Sequence, residues 1–207
     1  MTPGLETARL LLLPLRLEDA EQVQPLFGQW EIVRDLAAFV PWPYPADGSY
    51  TFYRDIALPA VERGEQWHWT LRLKSDPGRI IGAVSLQLGD TNRGFWVARE
   101  FQGRGLATEA TEAVTEYWFD VLDQPVLRTY KAVRNAASSR VSAKTGMRMT
   151  GLRDMDSVSG VQPSELWEIT AAEWRSHRAR TVKSEEAGRA GEDRGALPVS
   201  DEPAGSD

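Results

Sequence analysis

Gln102-Gly103-Arg104-Gly105-Leu106-Ala107 joins a strand candidate, Gly94-Phe95-Trp96-Val97-Ala98, to an amphipathic run that extends from Leu106 to about Val121. A glycine-rich turn that opens a helix leaves several backbone N–H groups without intrahelical partners, at the positive end of the helix dipole. That is a phosphate site in waiting. By itself the pattern Gln-x-x-Gly-x-Ala is equally well a plain strand-to-helix turn, and the rest of the chain has to decide between the two.

Two phosphate loops are excluded at once. A Walker loop needs Gly-Lys-Ser/Thr, and no lysine follows Gly105. The dinucleotide fingerprint needs a third glycine three residues on, where this chain has Thr108. The elements before the turn also argue against both. Trp67–Leu73 alternates Trp67, Trp69, Leu71 and Leu73 with His68, Thr70 and Arg72, which predicts a half-buried strand. Asp76-Pro77-Gly78 reads as a turn, Ile80–Leu88 as a second strand with Gly82 a bulge candidate, and Gly94–Ala98 as a third, giving an antiparallel meander.

Upstream, Leu10–Leu15 reads as a first strand buried on both faces, and Glu18-Asp19-Ala20-Glu21 opens a helix ending near Gly28. A short helical piece spans about Glu31–Leu36. After Pro41-Trp42-Pro43-Tyr44-Pro45, Asp47 or Ser49 caps a helix to about Arg63, kinked by Pro59 and closed by Gly64. Downstream, the helix from Leu106 turns Leu106, Ala110, Ala113, Val114, Tyr117, Trp118 and Val121 to one face. Val126–Val133 is a strand, Ala136–Lys144 a helix ending at Gly146, and Met147–Leu152 and Glu165–Thr170 are the last strands. The order β-α-β-α-β with antiparallel strands at both ends predicts a mixed α+β fold.

Composition narrows the chemistry. The 207 residues predict one domain over 1–177. From Arg178 the pattern dissolves into Gly, Glu, Ser, Ala, Arg and Pro, which predicts a disordered acidic tail over 178–207. Seven of the chain's acidic residues against three basic ones fall between Thr181 and Asp207, so most of the net charge of −6 belongs to the tail. The body is close to neutral and carries no dominant basic patch, which gives nucleic-acid binding no electrostatic support. There are no cysteines and only two histidines, His68 and His177, which disfavours thiol catalysis, zinc sites and Ser-His-Asp arrangements. No run approaches membrane-spanning length and Met1-Thr2-Pro3-Gly4 does not open a signal peptide, so the expectation is a cytoplasmic protein without membrane contact.

Three blocks carry a resemblance. Arg93–Val97 with Gln102–Ala110 resembles the acyl-CoA-binding motif of the GNAT superfamily of N-acetyltransferases. Asn135-Ala136-Ala137-Ser138-Ser139-Arg140-Val141 with Lys144-Thr145-Gly146-Met147-Arg148 resembles that family's Asn-x-x-Ser-x-Arg-Val helix and the strand after it, with Met147 where an aromatic is usual. Leu5-Glu6-Thr7-Ala8-Arg9-Leu10 is similar to the first strand of the branch that includes the ribosomal-protein-alanine N-acetyltransferases. The interval from Arg128 to Asn135 is about two residues shorter than that branch leads one to expect.

The resemblance implies a central, mostly antiparallel sheet of about seven strands with a splayed parallel pair, and helices on both faces. It implies acetyl-CoA as co-substrate and no metal. Backbone N–H groups from Gly103 to Ala107 would cradle the pyrophosphate, with Gln102 opening the turn and Arg104 adding charge. The edge of Phe95, Trp96 and Val97 would pair with the pantetheine amides. Asn135, Ser138 and Arg140 would face the same ligand, with Asn135 also a simple N-cap, and Ser138 would protonate the leaving thiolate.

The implied reaction is direct attack of a primary amine on the thioester while both substrates are held together, with a backbone N–H of Val97 or Ala98 polarising the carbonyl. An α-amine, with a reference pKa of ~7.7–8.0, needs only modest base assistance. Asp156, with Asp154 close by, and His68 are the candidate bases, and Glu100 reads as structural. Trp30, Trp42 and Tyr44, with Tyr50 and Phe52, form an aromatic group that lines an acceptor pocket or fills the core. The acceptor is a small-molecule amine or a peptide N-terminus, and the assembly a monomer or homodimer. A catalytically silent acyl-CoA-binding sensor module stays open as the alternative.

Overall fold

In the computed structural model, residues 1–193 are described, with side chains to 183. Eight strands form two antiparallel sheets. The first runs β1-β2-β3-β4-β5, from Leu5–Glu6, Leu10–Pro14, Gln66–Leu73, Asp76–Gln87 and Arg93–Val97. The second has the order β6-β8-β7, from Val126–Ala132, Gly160–Thr170 and Arg148–Ser157. The eighth strand is the two-residue β1, too short to carry its own periodic signal.

The sheets meet at β5 and β6. Asn92 N donates to Arg128 O at 2.7 Å, Arg128 N donates back to Asn92 Oδ1 at 2.7 Å, and Thr129 Oγ1 donates to Arg93 O at 3.0 Å. Further along, Lys131 lies against Phe95. Partners therefore advance together from 92–128 to 95–131, so the two strands run parallel. No β-ladder joins them, and this is the splayed pair that the sequence led us to expect.

On one face of the first sheet lie α1 (Ala20–Phe27), α2 (Trp30–Val33), α3 (Gly48–Phe52) and α4 (Leu58–Glu62). On the other lie α5 (Leu106–Asp120) and α6 (Ala136–Lys144). One turn of π-helix, Tyr53–Ala57, links α3 to α4 just before Pro59, which has no N–H to continue the regular ladder. Neither Asp47 nor Ser49 caps α3 with its side chain. The Gln24 side chain does so from α1, accepting from Ser49 N at 2.9 Å while donating to Pro45 O at 2.7 Å.

Helices on both faces change the burial expected of β3. His68 and Thr70 are buried as well as Trp69 and Leu71, so β3 is a two-sided core strand and not a half-buried one. Its polar residues find partners: Thr70 Oγ1 with Leu13 O, and Arg72 Nη2 with Asp19 Oδ1 at 2.7 Å. Conversely β2, expected to be buried on both faces, leaves Leu13 exposed. The β3–β4 hairpin turns at Lys74-Ser75, and Asp76-Pro77-Gly78 already belong to β4. The register slips beside Gly82, as expected, and Gly82 lies so near β5 that an added Cβ would stand 2.4 Å from Trp96 O.

α5 packs Leu106, Ala110, Val114 and Trp118 into the core, and Tyr117 meets Trp69 edge-on at 5.6 Å. Each fully buried side chain of this size contributes about 1.5–3 kcal/mol. Val121 falls after the helix and is exposed, not part of the apolar face. The last strands join in a hairpin at Val158-Ser159, which puts Asp154 and Asp156 inside β7 instead of after it.

The chain divides into Met1–Ala171 and a second unit from Ala172. Helix α7, Ala171–Asp193, carries regular structure past Arg178, where composition suggested that it would end. Acidic residues alone do not break a helix when alanine, glutamate and arginine dominate. Positions 194–207 of the expected tail lie outside the described residues. Among the described residues no helix is long and apolar enough to cross a membrane.

Candidate functional site

β5 and β4 pair with Trp96 opposite Ala83 and Gly94 opposite Ser85, and Ala98 N donates to Ile81 O at 2.9 Å. In an antiparallel ladder such bonds recur at every second residue. Gly94, Trp96 and Ala98 therefore turn their N–H groups toward β4. Phe95 and Val97 turn theirs the other way, into the gap before β6. This removes Ala98 from the expected carbonyl-polarising groups, because its N–H is already used. Val97 N–H and Phe95 N–H face the gap.

The glycine turn stands at the far end of β5. Gly103 and Gly105 take φ of 74° and 78°, a left-handed conformation that favours glycine. The first intrahelical bond of α5 runs from Glu109 N to Gly105 O, so the N–H groups of Leu106, Ala107 and Thr108 precede the ladder. Gln102 Nε2 donates to Val97 O at 2.8 Å and so ties the turn to the strand. The Arg104 guanidinium lies 5.3 Å above the Phe101 ring.

A brace unforeseen in the sequence holds this turn. Glu109 Oε1 accepts from Thr7 Oγ1 at 2.6 Å and from Arg9 N at 2.7 Å, and Glu109 Oε2 accepts from Arg9 Nε at 2.7 Å. Arg9 Nη1 then donates to Arg104 O at 2.9 Å, inside the turn. Burial is the largest influence on the Glu109 carboxyl and would raise its pKa, but Thr7 and Arg9 together hold it below the ordinary value. The available signal was an acidic residue in the first turn of α5, where the dipole favours one.

Across the gap, Asn135 caps α6, its Oδ1 accepting from Ser138 N at 3.1 Å. The capping role is thus present. Ser138 is half-buried and Arg140 exposed. The short β6–α6 connection is held by Arg134, which donates to Asp35 Oδ1 and Ser159 Oγ, and to Arg34 O at 3.3 Å. The loop after α2 is stitched to the β7–β8 turn by the same contacts and by Val158 N to Leu36 O at 3.0 Å.

Five candidates remain. His68 sits on β3 in the row His68–Ser85–Gly94, two strands from β5 and therefore about 10 Å from Gly94. Burial pushes its pKa down to about 4, so it is neutral, with Nε2 2.7 Å from Gln66 Oε1. Asp156 is exposed near the β7–β8 turn. Strand alternation puts it on the same face as Glu165 and Lys131, and its main-chain oxygen accepts from Ala38 N at 3.3 Å. Tyr44 separates from the tryptophans. Its ring is held between Gly28 and Gly48, where an added Cβ would come within 2.9 Å and 2.8 Å of it, and its hydroxyl is 3.2 Å from Ser49 Oγ. Trp30 and Trp42 form a partly exposed pair with ring centres 5.0 Å apart.

Two antiparallel sheets parted at a parallel pair, with a left-handed glycine turn leading from the parting into a helix, define an α+β fold of the acetyltransferase type. The chain belongs to the acetyltransferase (GNAT) domain family, whose pattern matches residues 9–148. It is 30% identical over 108 residues to YdaF, a provisionally named ribosomal N-acetyltransferase of Bacillus subtilis (strain 168), covering 49% of this chain and 59% of that one. The chain spans little more than half the length of the curated relatives it matches. Among solved structures it resembles the ribosomal-protein-S5-alanine acetyltransferase from Vibrio fischeri, with a TM-score of 0.71 and 15% identity over 83% of this chain and 98% of that one. It also resembles the spermidine N-acetyltransferase from Vibrio cholerae solved with CoA and spermine, with a TM-score of 0.67 and 17% identity over 81% and 99%. At these identities the structural likeness is one of fold.

Proposed function

We propose that the protein transfers an acetyl group from acetyl-CoA to a primary amine, a protein N-terminus or a small amine. The observation that carries this is the gap between β5 and β6. The N–H groups of Phe95 and Val97 point into it, and the glycine turn ends it. A pantetheine arm, with two amides, is strand-like and matches such an edge. A pyrophosphate matches the N–H groups of Gly103 to Ala107. The name of YdaF and the spermidine enzyme's complex with CoA support both halves of the reading.

The thioester supplies the acetyl group, and the chain's residues position and polarise it. The turn binds at the C-terminal end of β5, so the arm runs back along the strand and meets Val97 first, Phe95 second. Val97 or Phe95 N–H donates to the carbonyl. Asn135 and Ser138, one α6 turn apart, face the arm from the other wall. His68 is buried on β3, two strands from β5, so Asp156 or water takes the amine's proton. Trp30 and Trp42 line the acceptor side, and Tyr44 shapes it from beneath.

A thiol-release assay across small amines and N-terminal peptides tests this. Release above the rate of acetyl-CoA alone, with an acetylated amine by mass spectrometry, is the expected result. Tight acetyl-CoA binding with no release from any amine would identify a sensor module instead.

A further inference from the structure

One buried cation beside the gap has no part in the scheme above. Lys131 is 8% exposed and its Nζ lies 4.7 Å from the centre of the Phe95 ring, with Phe95 directly across from it in the parallel pair. Alternation along β6 puts Lys131 with Leu127 and Thr129 on the α5–α6 side. Among the described residues no carboxylate forms an ion pair with it, although charged groups surround it. From β5 comes Arg93, a second buried cation, held by Thr115 Oγ1 at 2.7 Å, Thr145 Oγ1 at 3.4 Å and Met147 Sδ at 3.1 Å. From α5, Glu112 acts on Arg93. From β8, Glu165 stands opposite Lys131, its Oε2 accepting from Ser139 Oγ at 2.6 Å and Trp167 Nε1 at 2.8 Å, and from β7 Asp156 lies on the same face, exposed near the β7–β8 turn. From α6, Arg140 and Lys144 are exposed.

An ammonium buried on an aromatic ring beside another cation is costly unless a negative charge arrives. Burial first, and Arg93 second, push the Lys131 pKa down to about 7. On the acetyl-transfer reading, an arm running from the glycine turn would reach Val97 before Phe95 and bring its sulfur, where the thiolate forms, to the level of Phe95 and Lys131.

We infer that Lys131, in place of Ser138 to which the resemblance gives this role, is the acid that protonates the departing sulfur; this rests on the acetyl-transfer reading. The acceptor nitrogen bonds to the acetyl carbon and the carbon–sulfur bond breaks with its electron pair on sulfur. Sulfur takes a proton from Lys131 Nζ. The new amide loses its extra proton to water, and Lys131 regains one from solvent as CoA leaves. Burial weakens the ammonium's hold on its proton, which favours its transfer to a thiolate beside it.

The test uses Lys131→Met and Lys131→Arg in the full chain, with kcat, KM for acetyl-CoA, pH profile and Tm. For Lys131→Met, kcat falls about 10²-fold, KM stays within about threefold, and Tm rises because an apolar side chain of similar shape replaces a buried amine. The wild-type kcat declines as pH rises through the Lys131 titration, and the variant loses that decline. Arginine, charged but unable to give up its proton, does not restore the rate. A Lys131→Met kcat within threefold of wild type, or full rescue by arginine, overturns the inference while leaving acetyl transfer standing. A wild-type chain that transfers acetyl to no amine overturns the parent reading and this with it.

Discussion

Glu109→Gln separates the brace from the turn it supports. The carboxylate accepts three hydrogen bonds, from Thr7 Oγ1, Arg9 N and Arg9 Nε. Glutamine keeps one oxygen, enough for the first two, and presents an NH₂ to Arg9 Nε, donor against donor. A charge-assisted bond in a buried site is worth about 1.5–3 kcal/mol. Arg9 is 51% exposed, so the appropriate figure is nearer the surface limit of about 1 kcal/mol. For a domain of this size that lowers Tm by about 2–4 °C. The second consequence falls on the ligand. Arg9 without its anchor no longer holds Arg104 O, and the ligand must order the turn itself. If that ordering costs about 1 kcal/mol, the dissociation constant for CoA rises about fivefold. Calorimetric titration with CoA, beside thermal unfolding, measures both. A Tm that falls as stated with a CoA affinity within twofold of wild type would refute the reasoning, because the turn would then be self-supporting.

Other variants probe other links. Asn135→Ala removes the α6 cap and costs about 1 kcal/mol, whereas Asn135→Asp keeps the cap; a CoA affinity lost in both, with Tm lost only in the first, shows that the amide nitrogen contacts the ligand. Gly82→Ala drives a Cβ into Trp96 O, so β4 and β5 must part; Tm should fall by an amount matching roughly 1–3 kcal/mol, and an unchanged Tm would contradict the close approach. His68 is held neutral, its folded pKa of about 4 lying below the unfolded reference of 6.5. The stability this confers is complete above about pH 6.5 and is lost as pH falls toward 4. Over that window it amounts to about 3 kcal/mol, and His68→Gln should flatten the acid limb of a Tm–pH curve.

The segments that carry strong local signals were the legible ones. α6 begins and ends where its cap residue Asn135 and Gly146 place it, and the glycine turn between β5 and α5 falls where Gly103 and Gly105 stand. Burial on both faces of β3 was hidden because His68 and Thr70 look solvent-facing until the α1–α4 layer is placed over them. The hairpin at Lys74-Ser75 was missed because Asp76-Pro77-Gly78 is the stronger turn signal by composition, yet its residues are accommodated on β4 by the register slip. The brace from Thr7 and Arg9 to Glu109 joins positions a hundred residues apart, which no local pattern reports. Lys131 was readable in principle, since period-two alternation with Leu127 and Thr129 already turns it inward. A lysine in a strand is ordinarily read as solvated, and only the neighbouring β5 shows that this one is covered.

The central claim is that a ligand strand fills the gap between β5 and β6. Amide exchange with and without acetyl-CoA measures this residue by residue. Phe95 and Val97, whose N–H groups face the gap, should become protected, while Trp96 and Ala98, already bonded to β4, should change little. Protection confined to the glycine turn, with Phe95 and Val97 unaffected, would contradict the account.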